Sequence, residues 1–136
     1  MSIASILEAA PQLASEWAAE REDRQTRTEA DPADYQRLRD LGIPLMAVPV
    51  EFGGTWESLA QSARPLCTLL RTLAAGDPSI TLASAMHLGV LGSWRIPTVP
   101  DPYNDAWQKQ RKEVFQTVVD GAWWGTIVSE PRSGGD

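Results

Sequence analysis

Asp77-Pro78-Ser79-Ile80-Thr81-Leu82-Ala83-Ser84-Ala85-Met86-His87-Leu88-Gly89-Val90-Leu91-Gly92 sets the architecture of this chain. An aspartate before a proline is a strong helix start. Its carboxylate accepts from the first free amides, and proline at the first helical position has no N–H to lose. From Ile80 to Leu91 the apolar residues fall on every side, so the helix has no polar face and is expected to be central and buried. A chain built around such a helix is a helical bundle, and the fold is expected to be mainly α.

The flanking segments extend that bundle. Upstream, Leu59, Ala63, Leu66, Leu70 and Leu73 form the stripe of a helix from about Trp56 to Ala75, and Pro65 within it predicts a bend. Asp31-Pro32 opens a short helix whose face is Tyr35, Leu38 and Leu41, closed by Gly42 in the left-handed position. Between these two helices, Pro44 and Pro49 predict an extended chain from Ile43 to Val50, and a turn comes after it at Gly53-Gly54. The first helix carries Ile6, Leu7, Ala10, Leu13, Ala14 and Trp17 on one side, with a kink or restart expected at Pro11. The mixed charges Glu20-Arg21-Glu22-Asp23-Arg24 read as its solvated end.

Downstream, Pro97, Pro100 and Pro102 mark an exposed connection, and Trp107, Arg111, Val114, Phe115 and Val118 predict one more helix ended by Gly121. That makes a bundle of about five helices over residues 1–121. Trp123 to Val128 reads as a strand and Ser129 to Asp136 as a loop, so residues 122–136 are expected to begin a β domain. A lone strand cannot satisfy its ladder hydrogen bonds, which predicts that the chain is part of a longer polypeptide.

Composition excludes several classes. Twelve Lys and Arg against eighteen Asp and Glu give a net charge of −6 over 136 residues. Such a balance disfavours both nucleic acid and an anionic membrane surface as partners. Cys67 is the one cysteine, so no internal disulfide can form. Neither a signal-peptide pattern at the N-terminus nor a run of about 18 apolar residues is present, and a cytoplasmic location is expected. No metal-ligand spacing, phosphate loop or dinucleotide fingerprint occurs, and one histidine makes no triad.

Four stretches, in this order, resemble the acyl-CoA dehydrogenase family of flavoproteins. They are Leu41-Gly42-Ile43 through Val48-Pro49-Val50-Glu51-Phe52-Gly53-Gly54; Ala75-Gly76-Asp77-Pro78-Ser79-Ile80; Gln108-Lys109-Gln110-Arg111 to Val119-Asp120-Gly121; and Val128-Ser129-Glu130-Pro131-Arg132-Ser133-Gly134-Gly135-Asp136. The last is the most specific, being similar to the family's flavin loop of Thr-Glu-Pro, two residues, then Gly-Ser-Asp. The resemblance implies an N-terminal helical domain leading into a middle β domain, with FAD held between that domain and a C-terminal helical one. It implies FAD contacts for Val128 and Ser129 at the isoalloxazine edge and for Gly134 and Gly135 near the flavin and the thioester. Gly135 departs from the pattern, since the family usually has serine there.

The resemblance further implies α,β-dehydrogenation of an acyl-CoA thioester, an electron-transfer partner and a homotetramer. The α proton goes to a glutamate base and the β hydride to flavin N5; that base lies in the C-terminal domain, so no residue of this chain is expected to be catalytic. Ser84 and His87 are expected to face the substrate tail, because the matching helix floors the acyl pocket. His87 on its own reads as a satisfied core histidine. Two alternatives stay open: a flavin-dependent monooxygenase of the same fold, and a stand-alone helical interaction module completed by a partner's strand.

Overall fold

A computed structural model describes residues 2–125. Over those residues it is mainly α, with six α-helices: α1 (Ile3–Ala19), α2 (Arg21–Gln25), α3 (Pro32–Asp40), α4 (Leu59–Gly76), α5 (Pro78–Trp94) and α6 (Asn104–Val119). Two short 3-10 helices, Ile43–Ala47 and Val50–Phe52, connect α3 to α4. Among the described residues none forms a strand, and residues 122–125 are irregular. The strand expected over residues 123–128 is therefore absent over its first three residues. Its remainder, and the loop with Val128, Ser129, Gly134 and Gly135, lie outside the described residues. No helix among the described residues is long and apolar enough to cross a membrane.

The helix starts agree with the sequence. Asp31 accepts from Ala33 N–H at 2.8 Å and Asp77 from Ser79 and Ile80 N–H at 2.9 and 3.1 Å, each with proline next in the chain. Gly42 closes α3 at φ 76°, a conformation glycine adopts without strain. Several expectations need correction. Of the kink or restart expected at Pro11, the restart does not occur, since α1 runs across it as one element. The proline is exposed, and burial of Ile6, Ala10, Leu13, Ala14 and Trp17 outweighs one missing hydrogen bond. Ile43–Ala47 is a 3-10 turn instead of extended chain, because Pro44 sits in its first turn, where no N–H is required. Val48, before Pro49, does take the extended conformation at φ −90° and ψ 128°.

Two apolar clusters make the core. Ile6, Leu13, Trp17, Leu38, Ile43, Leu69 and Leu73 join α1, α3 and α4. Val48, Leu88, Leu91, Val114, Phe115 and Val118 join α5 and α6 to the 3-10 connection. The α5 helix is not buried all round as its composition predicts. Its inner face holds Ile80, Thr81, Ser84, His87, Leu88 and Leu91, while Leu82 is 67% and Met86 41% exposed. The polar residues can face inward because the Thr81 and Ser84 hydroxyls donate to backbone carbonyls one turn back, those of Asp77 and Ile80, both at 2.7 Å.

The charged run after α1 is not a solvated end either. Arg24 is 8% exposed. Its Nη1 and Nη2 donate to Asp34 at 3.1 and 2.7 Å, its Nε donates to Asp77 at 2.7 Å, and Nη1 also reaches Glu20 at 3.3 Å. Its guanidinium lies 4.9 Å from the centre of the Trp17 ring, and Trp17 Nε1 donates to Asp34 at 3.0 Å. One side chain thus ties α1 and α2 to the first turns of α3 and α5.

The α1–α4 crossing depends on Gly76, where a Cβ would lie 2.4 Å from the Ala14 carbonyl oxygen and 2.8 Å from its Cα. Those are backbone atoms, so relief requires a helix to shift. Gly76→Ala is expected to lower stability by about 1–3 kcal/mol, read from urea unfolding midpoints; a loss below about 0.5 kcal/mol would show that the helices have room.

Candidate functional site

The two polar residues expected to meet a substrate are both on the inner face of α5, one turn apart, and both are fully buried. Ser84 spends its hydroxyl hydrogen on the Ile80 carbonyl. His87 is engaged by the chain leaving α6: the Trp124 backbone N–H donates to His87 Nδ1 at 2.8 Å. With Nδ1 an acceptor, the proton of the neutral imidazole is on Nε2. That nitrogen is buried and, among the described residues, has no hydrogen-bond partner of ordinary geometry.

Aromatic rings cover this contact. Trp123 packs on His87 with ring centres 4.8 Å apart and on Tyr35 of α3 at 5.1 Å in an edge-on arrangement. Its indole N–H is also buried without a partner among the described residues. Trp124 donates through Nε1 to Thr117 Oγ1 at 2.9 Å, pinning its ring to the last turn of α6. Gly121, at φ 99°, makes the turn that sends the chain from α6 across toward α5. Apart from the apolar pair Trp123-Trp124, nothing local in the sequence marks this assembly, because its partner His87 lies 37 positions away.

An open cleft of about 510 Å³ lies over this corner, lined by Tyr35, Gln36, Arg39, Ala83, Trp123 and Trp124. A second of about 510 Å³ runs along the outer side of α5, lined by Ala85, Met86, Gly89, Val90, Trp94 and Trp107. Neither cleft is lined by Ser84 or His87. Trp94 and Trp107 stack with centres 4.9 Å apart, and Trp107 Nε1 donates to the Ile96 carbonyl at 2.9 Å. Nearby Arg95 lies 3.7 Å over the Trp56 ring, and burial lowers its pKa from the ordinary arginine value. Among the described residues no three His, Cys, Asp or Glu side chains gather as metal ligands.

Two titrations bear on stability. Burial pushes the His87 pKa below its ordinary value, and the Pro44 carbonyl only partly opposes this. Burial pushes the Asp77 carboxyl upward, but the Ile80 N–H and the Arg24 guanidinium more than offset it, so its pKa is lowered. In both cases the unfolded chain takes up the proton first as pH falls, so stability is lost on acidification. The His87 contribution is complete above about pH 6.5, the unfolded value, and declines as pH falls toward the lowered folded value. The Asp77 contribution persists to below about pH 4 before it is lost. Because His87 is the only histidine, His87→Phe is expected to flatten the first decline in stability, read by urea unfolding from about pH 8 down to about pH 5. An unchanged slope in that variant would contradict the assignment.

Comparison of the chain with family models, with curated proteins and with solved structures returns no match.

Proposed function

We propose that this chain forms the N-terminal helical part of an FAD-dependent, acyl-CoA dehydrogenase-like oxidoreductase. In this reading residues 1–121 are the helical domain and residues 122–136 open the middle β domain. The reading rests on the four resembling stretches, and the observation that carries it furthest is the hydrogen bond from Trp124 N–H to His87 Nδ1. The chain that runs on toward Val128-Ser129-Glu130-Pro131 is held against α5, the helix that in such an enzyme floors the acyl pocket.

The described residues would contribute position. Arg24 and the two aspartates fix the starts of α3 and α5, and His87 with the Trp123 stack fixes the chain after α6. FAD would be held through Val128, Ser129, Gly134 and Gly135 and would supply the electron sink for oxidation of an acyl-CoA. A homo-oligomer, an electron-accepting partner and a cytoplasmic location belong to the same proposal.

A second reading, a helical module that binds another chain, is favoured by the exposed apolar side of α5 at Leu82 and Met86. Flavin separates the two. The product of the uninterrupted reading frame containing residues 1–136 is expected to purify yellow with one FAD per chain, and an acyl-CoA should bleach it anaerobically. A colourless product that takes up no FAD would overturn the flavoenzyme reading in favour of the module.

A further inference from the structure

We propose that His87 is a positioning residue that fixes where the chain leaves the helical bundle, and that a proton added to its Nδ1 releases that exit. The inference goes beyond the flavoenzyme reading and does not need it, since it concerns a contact made within residues 87–124. It also gives His87 a different task from contact with a substrate.

The contact has one acceptor and one donor. Nδ1 is the acceptor for the Trp124 amide at 2.8 Å, and His87 is 0% exposed, so water offers no substitute. When Nδ1 takes a proton, its lone pair becomes an N–H bond, and two donors then face each other across the same distance. The Trp124 amide is left without an acceptor, and a buried cation is left without a counter-charge among the described residues. Movement of the Trp124 backbone away from the ring relieves both at once, because it gives water to the amide and to the ring.

Among the described residues no neighbouring charge holds the imidazolium in place. On α5 itself, no titratable residue lies between Asp77 and Arg95 other than His87. The 3-10 helix Ile43–Ala47, which packs on α5, has none and presents the Pro44 carbonyl. The exit segment, residues 122–125, has none. On α4, which also packs on α5, Arg64, Cys67 and Arg71 are all exposed. On α3, Tyr35 meets Trp123, and Arg39 lies beside Gly121. The salt bridges among the described residues do not include His87.

The other end of the segment is anchored independently of protonation. Ala122 N–H donates to the Thr117 carbonyl at 2.8 Å and Trp124 Nε1 to the Thr117 hydroxyl. Release at His87 therefore frees the backbone at Trp124 while α6 keeps its own end, which makes the contact a local latch and separates it from global unfolding.

Amide hydrogen exchange of the 15N-labelled 136-residue chain tests this, with imidazole 15N shifts recorded at each pH. Protection of the Trp124 amide, relative to that of Phe115 within α6, is expected to fall by about tenfold, the factor one lost hydrogen bond is worth. The fall should track the His87 titration. His87→Phe keeps a ring against Trp123 but no acceptor, and should leave Trp124 unprotected at every pH while Phe115 stays protected. His87→Asn places a non-titrating oxygen near the Nδ1 position and should retain protection in acid; it decides the matter with the wild type should the Phe variant fail to fold. Protection that ignores the imidazole titration, or an acid loss that persists in the Asn variant, would overturn the proposal.

Discussion

The Arg24 guanidinium is where the architecture closes. Four of its donor contacts go to three carboxylates from three parts of the chain, and its flat face lies over Trp17. Asp77 has two duties. One oxygen caps α5 by accepting from Ser79 and Ile80, and the other accepts from Arg24. Asp34 accepts from Trp17, Arg24 and Arg27. Charges this far from water are costly unless every partner is present. The cluster therefore forms as a unit, and in forming it sets α3 and α5 relative to α1. Peripheral ion pairs such as Lys109–Glu113, both largely exposed, add little beside it.

That placement determines the orientation of α5. With its first turn held by Arg24, the helix presents Ser84 and His87 inward and Leu82 and Met86 outward. The inward histidine then receives the chain that leaves α6. The polar groups of this helix serve the interior, and its apolar surplus lies outside. Ile80, Leu88 and Leu91 face the core beside those polar groups, so α5 is apolar on both sides.

Much of the fold is legible in residue patterns that act locally. Asp31-Pro32 and Asp77-Pro78 mark helix starts through caps that bond two or three residues away. Gly42 and Gly121 mark ends because their positive φ values are needed there. The illegible parts depend on contacts distant in sequence. Arg24 looks solvated beside Glu20 and Asp23, and only the tertiary fold brings Asp77 to it from 53 positions away. The orientation of α5 cannot be read from its residues because its hydrophobicity has almost no preferred side. Pro11 misleads, because its local cost is outweighed by burial along the whole of α1. For the site, Ser84 and His87 stand out as polar residues on a helix of apolar ones, but their inward orientation and the Trp124 contact arise only in the packed structure. The residues expected to touch flavin lie outside the described part of the chain.

The central claim is that Arg24 and the carboxylates act as one cooperative unit on which the helix arrangement depends. A double-mutant cycle in urea with Arg24→Ala, Asp34→Ala and the pair tests it most directly. Each single change takes from a buried charge its bidentate partner and should cost about 3–5 kcal/mol. The double variant should then cost less than the sum by about 2 kcal/mol or more. Costs that add to within about 0.5 kcal/mol would show that the two side chains act separately, and would contradict the claim.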